Sequence, residues 1–570
     1  METRKRGTAR DAKIARQTIA ENMPPRFALI LPLLSACALS QTPSFPRPSY
    51  FQQTFARAQT RVELQDPVRL GEFVVDGKLE LSLKSYLELV MANNTDIQIE
   101  FLTVESPKNA ILRAMQTWDP LGTASFNSTR ATTPSTGALQ GASTVDSLSQ
   151  PASFNFQQTL PTGMTYSVGF AGSKNTTNSA FQSLNPALGA NLSVSFSQPL
   201  LRNRGAAINR LNLMIATGRA SISEMSLRAS LLQMVNAAEN AYWDVIQARE
   251  NLRVAQSALS LAQESLKLAQ KEVDLGAISP LDIYNPEQQE ATAQLGVSQA
   301  QYALDQSWNA LRKQIGADLS PAVRGLPILL TETAEPSAGR LDFDAEESVR
   351  RAEATRPEVR SAIASLSIDD MGIRQAKNEI LPDVELTGGY TTQGVGGIYF
   401  PGTSVLDASG NASPAPPIPG GFGDALRQMF GLGYPIYSFG LNVTLPIRRH
   451  AAVADMADAL VQKRRDALTV RTLQQQVRLS VLNALSSLNS SLEALKLAVT
   501  AREFAQKALD AENQKYQLGN DPMQFVLQAQ TQLSQAESAV VQNQVGLRRN
   551  LLNLLTQTGE LLDERGIVVK

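Results

Sequence analysis

The side chains that most often carry chemistry are scarce in this 570-residue chain, which holds one histidine, His450, and one cysteine, Cys37. Together they cannot supply a His/Cys zinc site, an iron–sulfur cluster or a disulfide framework, so any metal would have to sit among carboxylates. The pair Asp369-Asp370 has no His or third ligand near it in sequence and reads as a solvated helix face. A Ser-His-Asp relay would rest on His450 alone, and neither a phosphate-cradling glycine loop nor a nucleophile elbow is present. His450 closes the run Arg448-Arg449-His450, which suits contact with lipid head groups better than catalysis. Tyr242-Trp243 lies in a helical stretch and reads as packing rather than as a stacking site for a substrate. With 52 Lys+Arg against 53 Asp+Glu, the chain lacks the basic field that binding to nucleic acid needs. No enzyme activity, cofactor or metal is expected.

Cys37 has a chemistry of its own. Residues 27–40, FALILPLLSACALS, are apolar for 14 positions, too few to span about 30 Å of hydrocarbon as a helix. They read as the h-region of a secretory signal with Arg26 as its positive flank. Leu34-Ser35-Ala36-Cys37 resembles the bacterial lipobox, in which the cysteine is lipidated and becomes the first residue of the mature chain. A signal followed by an incidental thiol is the alternative. The first 22 residues are charged and helix-prone, unlike an n-region, which makes Met23 a candidate start. Ala38 stands where lipoproteins retained at the inner membrane commonly carry Asp, so the outer membrane is the expected destination.

The rest of the chain is one unit written twice. Residues 94–120 and 356–382 have equal length, are helix-like and stop at Pro120 and Pro382. Alternating sequence follows each proline, Ala124-Ser125-Phe126-Asn127-Ser128 and Val384-Glu385-Leu386-Thr387-Gly388, and predicts a strand with two different faces. Stretches rich in Gly, Ser, Thr, Asn and Pro, 133–150 and 391–435, read as loops. Alternation returns in 191–197 and 441–445, each closed by a proline, Pro199 and Pro446. Each half therefore reads as strand, long polar loop, strand. The segment 152–172 carries extra alternation, which fits either two more strands or a hairpin outside the membrane.

After Pro199 and Pro446, each half runs free of proline to Leu275-Gly276 and Leu518-Gly519. Residues 206–275 would make one helix of roughly 105 Å at 1.5 Å per residue, and 450–518 one of similar length. No compact domain contains such rods, so they are coiled coils or tunnel staves. Leu252, Ala255, Leu259, Ala262, Leu266, Ala269 and Val273 form a heptad seam. Leu495, Ala498, Ala505 and Leu509 repeat it in the second half, interrupted by Arg502 and Glu512. Short turns, Ala277-Ile278-Ser279-Pro280 and Asn520-Asp521-Pro522, then lead to second helices reaching about Gly316 and Gly559, the chemistry of helical hairpins.

The doubled plan resembles the TolC-type outer-membrane efflux proteins over most of residues 78–562. The resemblance rests on that plan, on the passages Ser197-Gln198-Pro199-Leu200-Leu201 and Thr444-Leu445-Pro446-Ile447, and on the turn from Leu275 to Ile283, which looks like the family's Val-Gly-x-x-x-x-x-Asp-Val tip. It implies a mainly α fold with a β-barrel portion: two helix-strand-strand-helix repeats per chain form long coiled-coil hairpins, and a homotrimer completes the barrel and tunnel. Physics points the same way, because a handful of strands cannot close a wide barrel and an open sheet edge cannot survive in lipid. The expected parts are a leader (1–36), a mature N-terminal extension (37–77), a first repeat (78–330), a linker (331–340), a second repeat (341–562) and a tail (563–570).

By the same resemblance, Leu275, Gly276, Leu518 and Gly519 would contact a periplasmic adaptor, and Asp282 and Tyr516 would form a hydrogen-bonded gate. The acidic ring that better-known members carry is replaced near Gln524 and Leu527, and Asp521 stands where an Arg helps lock the family's gate. The implied function is an outer-membrane exit duct working with an adaptor and an inner-membrane transporter that supplies the energy. The exit duct of a type I protein secretion system and a non-conducting periplasmic coiled-coil protein are the alternatives.

Overall fold

A computed structural model of the chain describes residues 70–134, 143–179, 182–317, 325–335, 343–402, 404–406 and 412–567. Cys37, Met23 and the expected leader lie outside them. The described chain opens with strands β1 (Val74–Val75) and β2 (Lys78–Leu81), turned at Asp76-Gly77, where both residues have positive φ. Helices α1 (Leu83–Asn93), α2 (Thr95–Thr103) and α3 (Glu105–Met115) follow. Ser82 accepts from the Ser85 N–H at the start of α1, and Asn94 from the N–H groups of Asp96 and Ile97 at the start of α2, which satisfies one orphan donor of the first helix and two of the second.

Next come β3 (Leu121–Phe126), β4 (Thr129–Pro134), β5 (Thr144–Thr159), β6 (Thr165–Thr177) and β7 (Leu184–Pro199), then α4 (Ala206–Asn209), α5 (Leu211–Asp274), α6 (Tyr284–Gln314) and β8 (Ile328–Leu330). The second half contains α7 (Ala345–Thr355), α8 (Pro357–Ile380), β9 (Asp383–Tyr399), β10 (Ser404–Leu406), β11 (Ala412–Pro414), α9 (Phe422–Phe430), β12 (Tyr434–Thr444), α10 (His450–Gln517), α11 (Met523–Thr558) and α12 (Leu561–Glu564). Helix α5 has 64 residues and α10 has 68, about 96 and 102 Å of rise. The run expected from residue 206 is in two pieces: a one-residue interruption at Arg210 is bridged by Arg210 N–H to Ala206 (3.1 Å) and Met214 N–H to Arg210 (2.9 Å).

The expected seam is where the helices meet. Leu252, Ala262 and Ala269 are buried within the chain, as are Ala498 and Leu509 in the second half, while Arg502 is exposed. The largest core packs α1, α5, α6 and α11 around the small sheet of β1, β2 and β8. At its centre Tyr86 and Tyr242 are fully buried with ring centroids 5.4 Å apart, and the Tyr86 hydroxyl donates to the Ala238 carbonyl at 3.0 Å. Tyr242-Trp243 is thus core. Beside it Glu239, 1 % exposed, is held bidentately by Arg565 at 2.6 and 2.9 Å. A second core joins α7 and α8 to α10 and α11 through Val349, Val359, Val481 and Leu488.

The seven-stranded sheet departs from the simple plan in the first half. Its order is β12-β9-β7-β6-β5-β3, all antiparallel, with β4 also on β5. In the second half β9 and β12 pair directly, as expected. In the first, β5 and β6 stand between the outer strand and β7, so 152–172 supplies full members of the sheet. Residues 144–150 and 391–399, expected as loop, are strand, and the second stretch also contains α9. Ser, Thr and Gly mark loops only where water is the sole alternative; on a sheet with one polar face they occupy every second position.

Candidate functional site

The sheet has two chemically opposite faces. Directly paired residues share a face, and one row reads Phe156, Val168, Val194, Tyr390 and Tyr437, and another Phe154, Phe170, Leu192, Thr392 and Pro435. The alternate rows read Gln157, Ser167, Ser195, Gly389, Ser438 and Asn155, Gly169, Ser193, Thr391, the last ending at Ile436 on β12. Hydroxyls on the polar face bond across strands, Ser125 with Ser153 at 2.8 Å and Ser167 with Ser195 at 2.7 Å. Much of the apolar face is open: Phe439 is 80 % exposed. Along β7 the apolar alternation runs from Leu188 to Phe196, nine residues, about the length with which a tilted strand crosses a bilayer. Lipid on one side and water on the other accounts for both faces.

Helix α9 sits on the apolar face at one end of β7 and β9, with Ala425 and Met429 buried against Phe170, Ala190 and Leu192. Glycines permit the approach; a Cβ on Gly394 would lie 2.0 Å from the Ala425 carbonyl oxygen. Beyond the start of β12, which lies opposite Gln393, the Gln428 side chain accepts the Val395 N–H at 3.1 Å, capping an edge that has no strand on it there.

At the other end the strands pass into the helices. Pro199 is the last residue of β7, with the Leu200 N–H still donating to the Val384 carbonyl at 2.7 Å, and Pro446 follows β12 by two, so each proline stands where strand gives way to helix. The passage is locked by Asn203 and Asn378, which bond mutually at 2.9 and 2.7 Å, by the Arg202–Glu379 ion pair and by Arg449, which donates to the Glu379 carbonyl. Arg449 is therefore engaged within the protein, whereas Arg448 and His450 are exposed as expected for interfacial groups.

The far ends of the long helices carry the remaining expected residues. Both close with the same cap. Gly276 (φ 72°) donates to Val273 and Ala277 to Glu272, at 2.9 and 2.8 Å; Gly519 (φ 75°) donates to Tyr516 and Asn520 to Lys515, at 2.8 and 2.9 Å. These are Schellman motifs, which require the left-handed conformation that glycine adopts freely. Leu275 and Leu518 precede the glycines and are 83 % and 75 % exposed, so neither serves its own cap.

A cleft of about 540 Å³ separates the tips and is lined by Glu272, Ile278, Asp282, Tyr516, Asn520 and Met523, among others. Asp282 and Tyr516 both line it, but they do not make the expected bond. Asp282 accepts the Ser279 N–H at 3.2 Å, closing the turn before α6, and the Tyr516 hydroxyl donates to the Glu272 carboxylate. Partial burial and that carboxylate push the Tyr516 phenol above its ordinary range. Sequence reasoning missed Glu272, although it lies four residues before Gly276 as Tyr516 lies three before Gly519. Asp521, in the place of the gate-locking Arg, pairs with Lys515 of its own chain at 3.4 Å, and Leu527, at one of the two replaced ring positions, is buried.

Elsewhere Asp370 meets Lys463 at 2.6 Å, and burial beside Asp466 raises Asp369. Among the described residues no cluster of three His, Cys, Asp or Glu suited to a metal occurs, and no helix is long and apolar enough to cross a membrane.

A sheet of this polarity, leading into helices about 100 Å long that fold back as hairpins at their far ends, defines a channel-forming protein of the outer membrane. The outer membrane efflux protein family matches residues 165–317 and 349–560, and the chain belongs to that family. The matched residues include β6, β7, β9 and β12 and leave β3, β4 and β5 outside. Solved structures agree on the fold: CusC (TM-score 0.58, 15 % identity, 91 % of this chain and 99 % of that one), the Campylobacter jejuni CmeC outer membrane channel (0.58, 14 %, 92 % and 95 %) and the outer membrane protein VceC of Vibrio cholerae (0.57, 14 %, 84 % and 96 %). No curated protein sequence matches the chain.

Proposed function

We propose that the chain is the outer-membrane exit duct of a tripartite efflux system: a homotrimer that passively conducts small molecules, driven by an inner-membrane pump and joined to it by a periplasmic adaptor. One observation carries this reading. A two-faced sheet whose outer strands have no partner at their outer edges among the described residues leads into helices about 100 Å long, and only a closed ring of copies satisfies those edges in lipid.

The adaptor seats on the tips, where Leu275 and Leu518 offer apolar knobs and Gly276 and Gly519 allow close backbone approach. The gate is the tip cleft: Tyr516 and Glu272 tie the first hairpin to the second, and Asp282 shapes the facing turn. A phenol–carboxylate bond is modest enough for a partner's binding to break it. Cys37 carries the lipid that anchors the mature chain in the outer membrane.

Cells lacking the chain should accumulate a fluorescent cationic dye. Wild-type protein should restore its export, and protein carrying Leu275→Asp and Leu518→Asp should insert normally yet fail to do so. Unchanged accumulation on deletion, across dyes and toxic small molecules, would contradict the reading.

A further inference from the structure

We infer that three copies of this chain close a barrel of eighteen strands, six from each, instead of the twelve that two strands per half would give. This rests on the exit-duct reading and fixes the width of its outer-membrane portion.

The six strands are read from register. Strands β3 and β4 follow one unbroken alignment on β5: Leu121 faces Gln157, Phe126 faces Ala152, Thr129 faces Ser149 and Pro134 faces Thr144. Between them the Asn127 N–H still donates to the Pro151 carbonyl at 3.0 Å. Together they form a single strand over residues 121–134. Strands β5 and β6 then pair without a slip from Ser147–Thr177 to Thr159–Thr165 and continue the same two faces as β7 and β9.

The turn joining β5 to β6 is built into the base of the sheet. Gly205 N–H donates to the Thr162 carbonyl at 3.0 Å. Gly163 (φ 89°) comes so close to the strand-to-helix passage that a Cβ would stand 2.6 Å from the Asn203 carbonyl oxygen. A hairpin floating outside the membrane would have no such seat.

Closure follows from direction. The six strands alternate, so the 121–134 strand and β12 run opposite ways. The free edge of β12 in one copy therefore meets the free edge of the 121–134 strand in the next as an antiparallel pair, head to tail around the ring. Among the described residues neither edge has another strand on it, and both strands are long enough to cross a bilayer. An odd number of strands would force a parallel seam. Barrel diameter grows roughly linearly with strand number, and barrels of 16–18 strands leave an aqueous channel. The outer-membrane lumen is then about half as wide again as a twelve-stranded one, and it is lined by the rows of Ser, Thr and Asn. The tips, not the barrel, limit the size of what leaves.

The test is electron cryomicroscopy of the purified full-length oligomer in lipid nanodiscs, with native mass spectrometry of the same sample. A trimer with eighteen strands, the 121–134 strand of one copy against β12 of the next, is expected. A trimer with twelve barrel strands overturns the width and leaves the exit duct standing; a monomer, or copies without a closed ring, overturns both. As an independent check, Ala124→Cys is combined in turn with Tyr437→Cys, Phe439→Cys or Leu441→Cys and treated with a short bis-maleimide. At least one pair should give covalent trimers, while Val168→Cys, two strands further in, should give none. Cross-linking through Val168→Cys in place of Ala124→Cys overturns the proposal.

Discussion

The Tyr516 hydroxyl donates to the Glu272 carboxylate, and that bond joins the last turn of α10 to the last turn of α5, the two rods that end at the tips. Removing the donor while keeping the ring should loosen the tips without unfolding them. Tyr516→Phe should shift the closed-to-open ratio by about 1 kcal/mol, roughly five-fold, seen as higher single-channel conductance or open probability. Glu272→Gln should act in the same direction but less, because an amide oxygen still accepts. Equal conductance in all three proteins would remove the latch.

The same bond fixes a pH dependence. The folded-state phenol titrates above its ordinary range, so its contribution is fully present below pH 10, the unfolded value, and is lost only as pH rises through the higher folded value. Deprotonation of Tyr516 should therefore not open the channel between pH 7 and 9.5. Conductance that rises in that interval in wild type and not in Tyr516→Phe would contradict this.

Gly276 and Gly519 hold left-handed backbone with open space around them, so a side chain there meets strain in the backbone and no steric clash. Gly519→Val should cost about 1–2 kcal/mol locally, and Gly519→Asn clearly less, because Asn tolerates that conformation. Hydrogen exchange at Asn520, whose N–H closes the cap at 2.9 Å, should report the fraying. Equal protection in the two variants would reject the strain argument.

Glu239 is buried against Arg565, and truncating one partner leaves the other charge without its match. Glu239→Ala should destabilise the protein by about 3 kcal/mol, read as a drop in apparent Tm, and replacing both residues with Met should recover much of it. A Tm unchanged by Glu239→Ala would show that the pair bears little on stability.

Gly163 is seated against Asn203 and Pro199. Gly163→Val should push the β5–β6 turn off the passage and reduce the yield of assembled trimer in detergent. Gly77→Val, at a positive-φ turn with open space around it, should leave trimer yield near wild type. Equal yields of Gly163→Val and wild type would mean that the turn does not support assembly.

Punctuation made much of the fold legible. Pro199, Pro446, Gly276 and Gly519 act through their own backbone, so their meaning is local and readable, and the two rods between them followed from the absence of proline. What escaped the sequence depends on the far side of a contact. The strand over 144–150 looked like loop because Ser147 and Ser149 face the polar side of a sheet that only exists once β6 has paired with it. Helix α9 was hidden in a Gly- and Pro-rich stretch whose glycines serve to let it approach β9. The partner of Tyr516 depends on how α5 and α10 are rotated against each other, which spacing within one helix does not fix.

Single-channel recording of the purified mature protein in planar bilayers, with its oligomeric mass measured in the same detergent, bears most directly on whether this chain is an exit duct. Trimers with a low conductance that rises in Tyr516→Phe are predicted. Non-conducting monomers or dimers would contradict the duct and leave the chain as a structural coiled-coil protein of the envelope.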